Sequence, residues 1–402
     1  MKICIIVDDY LPLSTKVTAK QMHELSVEFV KRGIDVTVIT PSPTLNKVSD
    51  ISQMDGVTVC RFQSGQIKNT SKVTRLINEF LLPYKAQKAF GTYFKNNHHD
   101  LIIFWSPSIF WCRLIKNLKT LWSVPSYMLL RDFFPQWVID SGMLKENSLI
   151  TKFFRYFEHK NYLAANIIAL QSPKNIEWFA QYNRANIPLD LLYNWASDTP
   201  VLELSNTYRT KLGLDDKVVF FYGGNIGHAQ DMMNIVRLAQ NLLPLEQAHI
   251  VLIGKGDEFE LVQNAITNLK LINVTLLPAV PQETFKLILS EFDVGLFSLH
   301  RDHTTHNFPG KLLAYMVQGI PILGSVNTDN DLKELIEEFN AGYVSVNGDD
   351  NILFENAKKL LDKNLRDQLG QNSNKLLHKV FSVESAVDTI LQFYNTQAKN
   401  KK

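Results

Sequence analysis

Shortages shape the first reading of this 402-residue chain. Cysteine is nearly absent: Cys4, Cys60 and Cys112 are far apart and odd in number. That excludes a disulfide framework and a cysteine-based zinc site, and it favours buried apolar thiols in a reducing compartment. Long apolar runs are also missing. None is long enough to span a bilayer, and the opening Met1–Asp9 stretch meets acidic residues too early for a signal peptide, so the expected location is the cytoplasm. There are no internal repeats and no low-complexity segments beyond a Lys399–Lys402 tail. G-x-G-x-x-G spacing is lacking too; the glycines cluster as G-G-x-x-G, which counts against a nicotinamide dinucleotide. Net charge is only +2, so the chain as a whole is not a polyanion binder.

The halves differ in charge. Residues 1–195 hold 23 Lys+Arg against 15 Asp+Glu, and the remainder holds 19 against 25. The basic excess lies in residues 68–160, which carry 14 basic and 6 acidic residues with 18 of the 43 aromatics. Basic plus aromatic suggests a membrane surface or nucleic acid. Nucleic acid is the weaker reading, because no recognition motif accompanies the charge.

With 45% hydrophobic and 20% charged residues, the composition is that of an ordinary globular protein of two or more domains. Apolar, β-branched runs recur with helical patterns between them. They are Ile3–Val7, Val36–Thr40, Leu101–Trp105, Ser126–Leu130, Ile167–Leu170 and Leu189–Leu192 in the first half. In the second they are Val218–Tyr222, Ile250–Ile253, Val274–Leu277, Val294–Phe297, Pro321–Leu323 and Tyr343–Val346. The alternation predicts an α/β chain with two parallel, helix-covered sheets. The pattern lapses at Asn194–Pro200, which places one Rossmann-like domain at 1–195 and a second at 196–380. A last helix, within 381–402, follows a complete second sheet and is expected to pack back on the first domain. Open parallel sheets bind ligands beyond the carboxyl ends of their strands, so the two domains are expected to face each other across a cleft.

The most informative stretch is Phe220-Phe221-Tyr222-Gly223-Gly224-Asn225-Ile226-Gly227, an apolar strand running into a glycine loop. Glycines admit an anion close to backbone N–H groups. A following helix with Met233, Val236, Ala239 and Leu243 on one face would point its positive end there.

Together with Asp9-Tyr10-Leu11-Pro12, Arg131-Asp132-Phe133-Phe134-Pro135, Asn194-Trp195, Val251-Leu252-Ile253-Gly254-Lys255-Gly256, Phe308-Pro309-Gly310-Lys311-Leu312-Leu313-Ala314-Tyr315 and Gly319-Ile320-Pro321-Ile322, this stretch resembles the family-4 glycosyltransferases of the GT-B fold. The resemblance covers nearly the whole chain, and within the family it is to bacterial O-antigen transferases that move an N-acetylated 6-deoxyhexosamine. It implies a UDP-sugar donor on the second domain and a polyprenyl-diphosphate-linked saccharide acceptor on the basic first domain. It also implies peripheral attachment to the inner membrane and no metal or other cofactor.

The implied donor contacts are Gly224, Asn225, Gly227, Gly254, Lys255, Glu283, His306, Pro309 and Gly310. Two glutamates that family members commonly present are replaced by His306 and Ala314, and Asn225 and Gln230 stand where an Arg and a Lys usually neutralise the diphosphate. The glycine-rich loop after the first strand is replaced by Ser14-Thr15-Lys16-Val17. Lys16 and Lys311 are the cations expected to make up the lost charge. Asp132, at a strand's carboxyl end, is the candidate base or acceptor-orienting group, or else a turn carboxylate paired to Arg131, and Arg131 is itself read as an acceptor or membrane contact. His303 and His306 have metal-like spacing, but a donor-sugar contact for His306 is the better reading. Asp329-Asn330-Asp331 spells D-x-D and reads as a helix cap. The segment Leu149, Ile150, Phe153, Phe154, Phe157, with Lys152 and Arg155, is either core packing or an interfacial helix on anionic lipid. The rival functions are a UDP-sugar 2-epimerase, a nicotinamide enzyme and a GT-B scaffold without activity.

Overall fold

The computed structural model describes residues 1–14, 17–68, 70–106, 108–140, 142–182, 186–202, 207–302 and 308–399. The chain divides into two compact units, Met1–Tyr193 with Ala386–Lys402, and Asn194–Ser385.

The first unit opens with β1 (Lys2–Ile6), α1 (Val17–Lys31), β2 (Asp35–Ser42), β3 (Ser49–Met54), β4 (Val57–Gln63) and α2 (Lys72–Asn96). It continues through β5 (Leu101–Ser106), α3 (Cys112–Trp122), β6 (Ser126–Leu130), α4 (Gln136–Asp140), α5 (Leu149–Tyr162), β7 (Ile167–Leu170), α6 (Pro173–Tyr182) and β8 (Leu189–Leu191). The sheet runs β3-β4-β2-β1-β5-β6-β7-β8, parallel except for β3. Strands such as Leu101–Ser106 are buried along their whole length, because helices cover both faces of a parallel sheet.

The β3–β4 hairpin is absent from the sequence reading, which expected only parallel strands. Asp55 and Gly56 both take positive φ, 50° and 79°, and close a two-residue turn between Met54 and Val57. An Asp-Gly pair is the usual signal for this turn. It is easy to pass over because the edge strand Ser-Asp-Ile-Ser-Gln-Met is polar and half-exposed.

The second unit contains α7 (Thr207–Lys211), β9 (Val218–Asn225), α8 (Met232–Leu242), β10 (Ala248–Lys255), α9 (Phe259–Asn268), β11 (Val274–Pro278), α10 (Gln282–Ser290) and β12 (Val294–Ser298). It ends with α11 (Lys311–Gln318), β13 (Ile322–Val326), α12 (Asp331–Glu338), β14 (Gly342–Val346), α13 (Asp350–Lys359) and α14 (Lys363–Leu376). Its parallel sheet runs β11-β10-β9-β12-β13-β14. Each unit is therefore doubly wound, with the strand order reversing beside β1 in the first and beside β9 in the second. Ligands of such sheets sit at that switch point, beyond the strands' carboxyl ends.

The last helix, α15 (Val383–Lys399), belongs from Ala386 onward to the first unit. Phe393 meets the Tyr127 ring at 5.3 Å edge-on, and Asp388 pairs with Arg32.

Candidate donor site in the second unit

The site is built where β9 and β10 end. β9 is longer than its apolar run: Gly223, Gly224 and Asn225 continue it, in register with Ile253, Gly254 and Lys255 of β10. The two glycine motifs therefore lie side by side, and each is a condition of the other. A Cβ on Gly254 would stand 1.9 Å from the Gly224 carbonyl oxygen, and one on Gly256 would stand 2.1 Å from that of Ile226. Gly224 takes φ +134°, a conformation that costs an L side chain strain. Beyond the strand the chain is tied by Ile226 N–H to the Lys255 carbonyl at 3.0 Å and by Glu258 N–H to the Ile226 carbonyl at 3.1 Å.

The helix expected directly after the loop starts later. His228–Gln230 form a short 3₁₀ turn, Asp231 takes φ 44°, and α8 begins at Met232. Its buried face is Met232, Ile235, Val236, Ala239 and Leu242. Val236 and Ala239 lie on it as expected, Met233 packs partly buried at its edge, and Leu243 is exposed at the helix end. The positive end of α8 already has the Asp231 carboxylate beside it, which Asn347 Nδ2 holds at 3.0 Å. The loop's pull on an anion must come from elsewhere.

It comes from Lys311. Pro309 and Gly310 lead into α11, whose first residue is this lysine. Tyr315, one turn on, anchors the helix: its hydroxyl lies 3.0 Å from the Leu296 carbonyl and 3.2 Å from that of Phe221. Its ring fills the space that a Cβ on Gly295 would need. So held, α11 projects the Lys311 ammonium against β9. Nζ lies 3.4 Å from the centre of the Tyr222 ring, and a Cβ on Gly224 would stand 3.6 Å from it. Among the described residues Nζ is buried without a hydrogen-bond partner, and burial holds its pKa well below the usual lysine range. A cation–π contact returns about 0.5–2 kcal/mol. Burying an unpaired ion costs several kcal/mol. Burial therefore favours the neutral amine in the free protein, and an anion placed beside it would favour the ammonium.

Residues 205–398 match the family Glycosyl transferases group 1. The second unit carries a group 1 domain. The two-unit chain has the GT-B architecture of solved transferases. Sucrose-phosphate synthase of Thermosynechococcus elongatus superposes with a TM-score of 0.71 at 15% identity, covering 99% of each chain. Anabaena HepE in complex with UDP gives 0.69 at 15% identity, over 98% of this chain and 100% of that one. WaaG, a glycosyltransferase involved in lipopolysaccharide biosynthesis, gives 0.65 at 14% identity over 96% and 98%. The probable glycosyltransferase WbjE of Pseudomonas aeruginosa is 23% identical over 221 residues. That alignment spans about half of each protein, 54% of both.

Within the group 1 domain, the residues expected at the donor fall into two sets. Gly224, Asn225, Gly227, Gly254, Pro309, Gly310 and Lys311 lie along or lead into the junction of β9, β10 and α11. The Asn225 amide donates to Gln230 Oε1 at 2.6 Å, which makes a neutral pair at this loop. Lys255 is exposed at the end of β10, and Glu283, exposed in the first turn of α10, pairs with Lys286 at 2.9 Å. His306, His303 and Lys16 lie outside the described residues. Asn330 caps α12 by accepting from Leu332 N–H at 3.1 Å. Tyr222 and Tyr315 are the residues sequence reasoning missed. Both sit inside the motifs, but a tyrosine in a strand or helix looks like core until its neighbours are known.

In the first unit, Asp132 is exposed just after β6. Arg131, expected as an acceptor or membrane contact, is turned inward. It is buried, with its guanidinium donating to the carbonyls of Leu192 (2.5 Å) and Tyr193 (3.5 Å) above the Trp105 ring. Arg155 is likewise occupied, by Glu158 at 3.1 Å and by the Gln136 side chain. The α5 stripe divides: Phe157 packs edge-on against Phe80, and Phe154 against Phe134. Leu149, Phe153 and Tyr156 are 85%, 36% and 57% exposed, and Lys152 is exposed among them.

Proposed function

We propose that the protein is a glycosyltransferase that moves an N-acetylated deoxyhexosamine, N-acetyl-L-fucosamine, from a UDP-sugar to a polyprenyl-diphosphate-linked saccharide in O-antigen biosynthesis. The motifs resemble those of the O-antigen N-acetyl-L-fucosamine transferase WbuB. One observation carries the reading: among the described residues the Lys311 Nζ is buried without a hydrogen-bond partner, at the glycine-lined strand ends of a group 1 domain. A nucleoside diphosphate supplies the missing charge. As the glycosidic bond to the donor breaks, negative charge grows on the leaving diphosphate, and a fixed cation there acts on the transition state more than on the ground state. Gly224 and Gly227 let backbone come close to the diphosphate, with the loops 254–258 and 279–283 near the nucleoside. Lys16 is the second cation of this proposal and His306 a donor-sugar contact. HepE, which shares the fold, was solved with UDP, and this supports the choice of nucleotide.

The first unit takes the acceptor, with Asp132 orienting the attacking hydroxyl. Among the described residues no helix is long and apolar enough to cross a membrane, so a lipid-linked acceptor calls for a surface contact. The exposed part of α5, Leu149, Phe153 and Tyr156 with Lys152, fits that role. Basic side chains contribute roughly 1 kcal/mol each at an anionic surface. Co-sedimentation with phosphatidylglycerol vesicles should fall in a Leu149→Ser, Lys152→Glu variant. Equal pelleting would remove α5 as the anchor.

The direct test is to incubate the protein with labelled UDP-N-acetyl-L-fucosamine and undecaprenyl-diphosphate-N-acetylglucosamine and to count label in the butanol-extractable lipid. Label there establishes donor, acceptor and activity together. No label, with UDP-N-acetylglucosamine and other deoxyhexosamine donors also failing, favours the inactive scaffold or the epimerase.

A further inference from the structure

The charge that Lys311 carries before a nucleotide arrives is set by the groups packed around α11. Its Nζ stands 3.4 Å above the centre of the Tyr222 ring, buried and, among the described residues, without a hydrogen-bond partner. Besides β9, the helix packs against β12, α10, α14 and the turn Leu377–Phe381. β9 offers the Tyr222 phenol, and β12 has no titratable residue. On α10, Glu283 and Lys286 hold each other at 2.9 Å. On α14, Lys363 pairs with Asp367 at 2.6 Å, Lys375 donates to Asn372 Oδ1, and Arg366 donates to the Leu360 and Leu361 carbonyls. In the turn, His378 meets Asp198 at 3.1 Å and Lys379 lies over the Phe339 ring. Past the end of β10, Glu258 lies 3.5 Å from His228, and Asp257 stands beside Gly227. Each carboxylate near α11 is thus turned to another group, and none pairs with Nζ.

An aromatic face returns only part of what desolvating an ammonium costs. Burial, with no neighbouring charge to oppose it, holds this lysine well below its ordinary range. A phosphate oxygen at Nζ reverses the balance, because a charge-assisted hydrogen bond favours the ammonium.

We propose that nucleotide binding in the second unit is proton-linked: Lys311 is a neutral amine in the free protein, its nitrogen takes one proton from solvent when a nucleoside diphosphate enters, and that proton returns to solvent when the nucleotide leaves. This linkage rests on the donor reading of the group 1 domain. It adds the regulation of that site, since donor affinity becomes a function of pH.

The sign follows from the two equilibria. Where binding takes up one proton, affinity falls about tenfold for each unit rise in pH. UDP contributes nothing to this between pH 8 and 9, because a terminal phosphate loses its second proton near pH 6. Without ligand, the unfolded chain keeps the Lys311 proton up to the ordinary value of 10.5, whereas the folded chain has released it at lower pH. The unfolded state therefore binds more protons, and the destabilisation due to this lysine is largest at low pH and disappears as pH rises through that value.

The test is calorimetric titration of the full chain with UDP at pH 8 and pH 9, in Tris and in Tricine, two buffers with different heats of ionisation. Wild type should take up close to one proton per UDP and lose about tenfold in affinity from pH 8 to pH 9. Lys311→Met should bind UDP more weakly, with no proton uptake and no change in affinity over that range. Ligand-free Lys311→Met should melt above wild type at pH 6, and the gain should shrink toward pH 10. The wild-type proton count needs no variant. UDP binding without proton uptake, uptake that persists in Lys311→Met, or a melting difference that is constant with pH would overturn the linkage and leave the donor reading standing. Absence of UDP binding at both pH values would overturn the donor reading and the linkage with it.

Discussion

Replacing Lys311 by alanine will lower turnover by roughly 10²–10³-fold and leave the melting temperature unchanged or raised. The rate estimate follows from removing one fixed charge at a developing anion. The stability estimate has the opposite sign from most core substitutions. Among the described residues Lys311 Nζ is buried without a hydrogen-bond partner, so in the free protein its burial is a cost that the Tyr222 ring offsets in part. Removing an uncompensated buried ion removes its desolvation penalty with it. Kinetics with saturating donor, beside a thermal melt of the same preparations, check both halves. A variant that loses stability in step with activity would mean that the lysine serves the fold.

Replacing Gly254 by alanine will do the reverse, lowering stability and nucleotide binding together. The new methyl would stand 1.9 Å from the Gly224 carbonyl oxygen, a backbone atom that cannot rotate away. Either β10 shifts or the Gly224 loop does. Such overpacking costs about 1–3 kcal/mol. A displacement near 1 Å at a binding loop costs roughly a hundredfold in function. UDP affinity and the melting temperature should fall together in Gly254→Ala. Wild-type values for both would show that the two strand ends are not packed as tightly as described.

Legibility in the sequence followed the physics of each element. All twelve expected strands stand in the two sheets, because buried parallel strands are unbroken apolar runs bounded by turns. The β3–β4 hairpin was not legible by that rule: an edge strand needs only one half-buried face, and Ser49–Met54 alternates weakly. The glycine motifs were legible as motifs but not as partners. That Gly254 exists for Gly224 depends on strand order, which local pattern does not encode. Lys311 was legible as a candidate cation, whereas its seat on Tyr222 was not. Arg131 misled because a basic residue beside an aspartate in an aromatic region reads as surface, and only the fold brings the Leu192 and Tyr193 carbonyls to it.

The central claim is that the group 1 domain holds a nucleoside diphosphate through Lys311. Calorimetric titration with UDP and with uridine, on wild type and on Lys311→Met, tests it most directly. The account predicts that UDP binds wild type about tenfold or more tighter than uridine, as a charge-assisted contact to phosphate requires, and that Lys311→Met erases most of this difference. Equal affinities of wild type for UDP and uridine, or a difference that survives the loss of Lys311, would contradict it.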